Sequence, residues 1–248
     1  MVMSSLNPAA PNGAQDLATL APARRDLYRF LSAAFLAAPA PEFLAKARDD
    51  EFLAALAEWF SAGVVENFRQ AGRTMESEEF SRSAHREFTQ LFLAPGRQYL
   101  APYESVFRDR REIDGREIAG MLLGASAVAV QQWYRLAALE MSEDFKELPD
   151  HIGLELHYLA YLCAKEREFA DSGEAGKQTR AREMQRDFLK AHVLAWLPDL
   201  AQKVQANASM ALYPAIAGLA VEFCRSQLAL LESIDGLADG RPLPSYSR

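Results

Sequence analysis

Apolar positions in this chain recur at spacings of three and four over most of its length, the period of one face of an α-helix. From Pro22 the stripe reads Leu27, Phe30, Leu31, Ala34 and Phe35. Pro39 and Pro41 interrupt it, and Pro41 suits the first turn of the next helix. That helix carries Phe43, Leu44, Phe52, Leu53, Leu56, Trp59 and Phe60, with Gly63 as its stop. A further helix is predicted over about 76–93, with Phe80, His85, Phe88, Leu91 and Phe92 on its inner faces. After an irregular stretch, helices resume over about 116–139, 149–170, 176–196, 198–206 and 210–234. Residues 1–21, rich in Pro, Asn, Ser and Ala, read as a flexible tail, and residues 235–248 as a second. Between them, 22–234 reads as one domain. The prediction is an all-α fold, a single globular bundle of about eight to ten helices.

Composition agrees. Ala (43) and Leu (32) dominate the 248 residues, while Val (9) and Ile (5) are scarce, which leaves little material for a buried sheet. No repeat at solenoid period is visible. The net charge is −7 and the sequence pI about 5.3. Without a basic stripe, nucleic acid is excluded as an expected partner. Cys163 and Cys224 lie in apolar helical patterns and read as buried free thiols, with no zinc spacing. The N-terminus shows no export signal, and the longest uncharged apolar run, Ala119–Val130, is too short to span a bilayer. The expected compartment is the cytoplasm, without stable membrane insertion.

The stretch from Ala94 to Gly115 lacks a clean period yet carries Tyr99, Tyr103 and Phe107. Irregular segments of that length are often functional, and these rings need something to bury them. Catalytic signals are weak. Ser105 has no GxSxG context, and neither a P-loop nor GxGxxG occurs. His151 and Glu155 stand at i and i+4, half of a metal site, but no second pair completes it; His85 and His192 read as partly buried helix residues. Pro149 opens a helix with Asp150 in its first turn, so Asp150 is either a cap or part of a functional cluster with His151 and Glu155. A helical metal-dependent enzyme using His151 and Glu155, and a generic helical interaction module, stay open at this point.

Two segments resemble the hallmark elements of the TorD/DmsD/NarJ family of cytoplasmic redox-enzyme maturation chaperones. LFLAPGRQYLAPYESVFRD (91–109) is similar to its Leu-Phe-x-x-Pro-Gly and Pro-Tyr-Glu-Ser-Val-Tyr elements, and PDHIGLELHYLAYL (149–162) to its Pro-Asp-His element. Weaker similarity covers 24–39 and 188–204. Ala94, Phe107 and His157-Tyr158 depart from the family's commoner residues. The resemblance implies an all-α chaperone with no catalytic activity, cofactor or metal. Its partners would be the apo form of a molybdopterin oxidoreductase catalytic subunit and that subunit's twin-arginine signal peptide. It would assist cofactor insertion and delay export until folding is complete. Two adjacent arginines followed by an apolar run call for carboxylates beside an apolar groove. On this reading Asp150, Glu155 and Glu104 supply charge, with His151 beside them. Leu91, Phe92, Tyr103, Val106 and Phe107 form the apolar wall, and Pro95, Gly96, Pro102 and Ser105 complete the motifs. The long irregular segment leaves a domain-swapped homodimer open.

Overall fold

The computed structural model describes residues 14–73, 77–113, 115–140 and 146–238. In chain order these form α1 (Ala14–Leu36), α2 (Pro41–Ala45), α3 (Asp50–Ala57), α4 (Ala62–Arg73), α5 (Ser77–Phe88), α6 (Glu104–Arg108), β1 (Arg111–Ile113), β2 (Arg116–Ile118), α7 (Ala125–Leu136), α8 (Ile152–Asp171), α9 (Ala175–Phe188), α10 (Leu194–Asn207) and α11 (Leu212–Ala238). A 3-10 turn, Lys46–Arg48, continues α2; a π turn, Thr89–Leu93, ends α5, and a second, Leu189–Val193, joins α9 to α10. Taken as continuous, these make ten helical runs among the described residues. Among the described residues the fold is all-α apart from one antiparallel hairpin, in which Ile113 pairs with Arg116.

The core is built on α1 lying along α8, with α9 against α8, and with α11 touching α10, α4, α9 and α1. Trp196, Tyr28, Tyr213, Phe35, Phe68, Phe188 and Phe223 are fully buried there. The Leu212–Ile234 stretch of α11 is long and apolar enough to cross a membrane by length and composition alone. Its apolar residues are core: Tyr213, Ile216, Leu219, Ala220, Phe223 and Cys224 are inaccessible. A buried polar knot ties four helices. Arg24 of α1 donates to Glu166 of α8 (2.8 Å), Gln185 of α9 (2.5 Å) and Gln227 of α11 (2.6 Å), and Gln185 also donates to Glu166 (3.0 Å). Cys163 and Cys224 are free and buried, as expected.

Several elements differ from the periodicity reading. α1 begins at Ala14, and Leu17, Leu20 and Ala21 are buried one turn apart, so α1 brings them into the core and not into a tail. Pro22 sits inside α1, at the cost of one backbone bond. The helix expected over 41–60 divides at Asp49, whose side chain caps α3 by accepting the Phe52 N–H (3.1 Å). α4 was not expected and buries Val65, Phe68 and Ala71. His85 is exposed on α5. Most different is 116–139, where the second hairpin strand and an irregular turn precede α7. Pro198 lies within α10, and α11 continues to Ala238. The remainder of both expected tails, 1–13 and 239–248, lies outside the described residues.

Candidate functional site

The extended residues ahead of α6 run beside the entrance to α8. Tyr103 and His151 form an antiparallel bridge, the Ile152 N–H donates to the Pro102 carbonyl (3.0 Å), and the Glu104 N–H to the Asp150 carbonyl (2.9 Å). Asp150 then reaches across: its Oδ2 accepts the Ser105 N–H at 2.8 Å. Pro149 and Asp150 therefore precede α8, and Asp150 caps the neighbouring helix, not its own. α8 is capped by His151, whose Nδ1 accepts the Gly153 N–H (3.0 Å). Acceptance requires a neutral ring. Burial supplies it, depressing the His151 pKa to about 4 against the opposing charge of Glu147. Tyr103 sets its ring edge-on to the imidazole (5.2 Å) and donates its hydroxyl to Glu147 (2.5 Å).

Beneath this seam lies a buried carboxylate cluster. Glu104 is inaccessible; its Oε2 meets His192 Nδ1 (2.9 Å), and its Oε1 takes the Arg108 guanidinium one turn along α6. Glu155 is equally buried and accepts the Trp196 Nε1–H (3.0 Å). Burial, and then the nearby Glu104 charge, push the Glu155 carboxyl well above the usual carboxylate range, so it favours the protonated form. Burial also raises Asp150, opposed by its bond from Ser105.

Both π turns anchor this segment. π turns interrupt the helical hydrogen-bond ladder and are frequent at functional sites. Leu91, in the first, offers its carbonyl to the Leu100 N–H (2.7 Å); Ala191, in the second, offers its carbonyl to Arg108 Nη1 (2.6 Å). Arg108 is the outward end of the cluster: its side chain is 40% exposed, while the carboxylate it holds is at 0%.

Of the residues singled out by sequence, the structure joins Pro102, Tyr103, Glu104, Ser105, Val106 and Phe107 to Asp150, His151 and Glu155. Leu91 and Phe92 are core residues, Phe92 packing on Phe35 (5.8 Å) and Tyr213 (5.2 Å), and not the wall of a groove. Pro95 and Gly96 are exposed and apart from the seam. Phe107 is buried against Trp196 (5.2 Å). The open row of carboxylates expected beside a groove is therefore a covered one. His151 and Glu155 also serve different neighbours, and among the described residues no group of three His, Cys, Asp or Glu could hold a metal ion. The sequence reading missed Arg108, Ala191 and Trp196. Only Arg108 left a signal, its i,i+4 spacing from Glu104.

The family described as nitrate reductase delta subunit matches residues 45–202. The chaperone protein TorD of Vibrio cholerae serotype O1 (strain ATCC 39315) is 28% identical over 227 residues, spanning 89% of this chain and 97% of that protein. The chlorate reductase assembly chaperone protein of Ideonella dechloratans is 34% identical over 146 residues, 57% of this chain and 68% of the relative. The selenate reductase assembly chaperone protein of Thauera selenatis is 36% identical over 98 residues, 39% and 50% of the two chains. The chain belongs to this nitrate reductase delta subunit family, the TorD/NarJ group of redox-enzyme assembly chaperones, and is a chaperone and not an enzyme.

Proposed function

We propose that this chaperone acts in the cytoplasm on the apo form of a molybdopterin oxidoreductase catalytic subunit. It binds the subunit's twin-arginine signal peptide, assists cofactor insertion and delays export until folding is complete. Relatives named as chaperones of selenate and chlorate reductase assembly support a reductase as the client. The observation that carries the peptide reading is the seat occupied by Arg108. A guanidinium there meets a buried carboxylate oxygen of Glu104 and the Ala191 carbonyl, and it reaches both from solvent. Both acceptors meet one guanidinium nitrogen, Nη1, and the buried carboxylate favours a cation at that place. One arginine of the leader displaces Arg108 and takes its place, while the apolar run of the leader lies along the half-buried Val106 and Tyr103. Asp150 and Glu155 do not touch the peptide; Asp150 holds α6 so that Glu104 is correctly placed, and Glu155 lies behind it.

Titration of a synthetic leader, with its Arg-Arg intact or changed to Ala-Ala, tests this. The Arg-Arg leader should bind at least about 30-fold more tightly, as expected when one partner of a desolvated charge pair is lost. Equal affinities would remove the arginine seat from the account.

A further inference from the structure

Three carboxyls lie buried at and behind the arginine seat: Glu104, Asp150 and Glu155 are all inaccessible. Both oxygens of Glu104 are taken, Oε1 by Arg108 at the rim and Oε2 by His192 Nδ1 (2.9 Å). Asp150 accepts the Ser105 N–H. Glu155 is different. Its Oε2 accepts the Trp196 Nε1–H (3.0 Å), its Oε1 is buried without a hydrogen-bond partner, and the Glu104 carboxyl lies within hydrogen-bonding reach of it. Two ionised carboxylates in that contact, away from water, repel each other. The contact is satisfied when one of them carries a proton and donates it to the other. Glu104 already faces Arg108 and His192, so the proton belongs to Glu155. The other titratable groups around Glu155 are Asp150, Tyr134 of α7 and Cys224 of α11. Burial holds Tyr134 and Cys224 neutral, with their pKa values raised.

We propose that Glu155 is a positioning residue that stores one proton behind the seat and gives it up when the leader binds. The proposal rests on the arginine seat at Glu104. Glu155 does not touch the peptide and acts through Glu104. In the free chain a neutral Glu155 leaves Glu104 as the charge that Arg108 meets. The leader exchanges one guanidinium for another at Glu104, and it brings a second arginine, while the displaced Arg108 stays tethered to α6. The cluster then faces more positive charge than before, which favours ionised carboxyls. The O–H bond of Glu155 breaks, the proton passes to bulk solvent, and its electron pair stays as a second carboxylate charge behind the bound arginines.

Calorimetric titration of the Arg-Arg leader into the full chain at pH 7, in phosphate and in Tris, counts protons from the dependence of the heat on the buffer. The parent should release about half to one proton, and its affinity should rise roughly threefold to tenfold per pH unit between pH 6 and pH 8. Glu155→Gln keeps an acceptor for Trp196 and a donor for Glu104, so it copies the protonated residue. It should melt with the parent, release no proton, and bind with the parent's acid-side affinity at every pH in that range. A purely structural role would change melting or affinity and leave the proton count alone. Infrared spectra of the free chain read the stored proton without a leader: the carbonyl band of a protonated carboxyl should be present in the parent at pH 7 and weaken in Glu155→Gln. Absence of that band from the parent would overturn the inference, as would a proton release that persists in Glu155→Gln, which would belong to His192 or Asp150. A leader that binds the parent with the same heat in both buffers, once each is referred to its own dilution, overturns the inference and leaves the seat standing. A leader that binds at no pH removes the seat, and the inference with it.

Discussion

Asp150 is the residue at which anchoring and client contact are most cleanly separated. Its side chain is inaccessible, and its Oδ2 accepts the Ser105 N–H in the first turn of α6. Asp150→Ala removes that acceptor inside the protein. Leaving one buried donor unmade costs about 1–3 kcal/mol, and the vacated volume adds to it. A total of about 3 kcal/mol corresponds to roughly 6–12 °C in a chain of this size. Asp150→Asn keeps a side-chain oxygen at the same reach and gives up a charge that burial already disfavours, so it should melt within about 3 °C of the parent, or under 1 kcal/mol. Urea unfolding followed by circular dichroism supplies the stabilities, and hydrogen exchange at Ser105 locates the effect: that amide should lose protection in the alanine variant and retain it in the asparagine variant. Asparagine falling as far as alanine would mean that the charge, and not the hydrogen bond, holds the seam. Alanine melting with the parent would mean there is no anchor. The asparagine variant should also bind the Arg-Arg leader normally. A well-folded Asp150→Asn protein that had lost the leader would show the seam opening to expose the carboxylate to the client.

Other consequences follow from the buried polar groups. Arg24→Met should destabilise the protein by about 3–5 kcal/mol in urea unfolding, because Glu166 is left charged and buried without its main partner; a loss under about 1 kcal/mol would make the four-helix knot dispensable. His151 contributes stability that is complete above its ordinary pKa of 6.5 and is lost as pH falls through about 4, about 3 kcal/mol across that window by linkage. Buried carboxylates with raised pKa values, Glu155 among them, run in the opposite direction: their contribution is complete below the ordinary carboxylate range and is lost as pH rises through their raised values. The test is therefore the difference between parent and His151→Gln at pH 7, 5 and 4, which should shrink toward acid and would refute the neutral cap if constant. Burial pushes the Cys163 thiol up to about 12 and raises Cys224 as well, so a disulfide exchange reagent should label neither until urea unfolds the chain. Stoichiometric labelling of native protein would contradict their burial.

What the sequence made legible follows periodicity. α8 and α11 lie close to their predicted spans because long apolar stripes at spacing three and four have one structural solution. The hairpin was missed although its signal is present: Arg-Glu-Ile repeats either side of Asp-Gly, a turn pair that suits a two-residue connection, with Gly115 at φ +71°. Helix-forming residues downstream outweighed it. α4 was missed because its stripe, Val65, Phe68 and Ala71, is short. At the site, resemblance singled out two segments, and the structure brings them side by side. It could not tell that the carboxylates face inward, since Asp150 bonding Ser105, 45 residues earlier, and Glu104 meeting His192, 88 residues later, are set by how α6, α8 and the second π turn meet. The Arg24 knot spans up to 203 residues and leaves no local trace.

The central claim is that a client arginine takes the seat Arg108 now fills, and the affinity of one Arg-Arg leader for three proteins tests it most directly. Glu104→Gln should weaken binding by about 30-fold or more relative to the parent, through loss of the buried charge. Arg108→Gln should tighten it by up to about fivefold, because a pair with one exposed partner, worth at most about 1 kcal/mol, no longer has to be broken. Opposite movements in the two variants are the predicted result. If Arg108→Gln weakens binding, or if both variants bind like the parent, the leader is held elsewhere and the seat at Glu104 is only a helix ion pair.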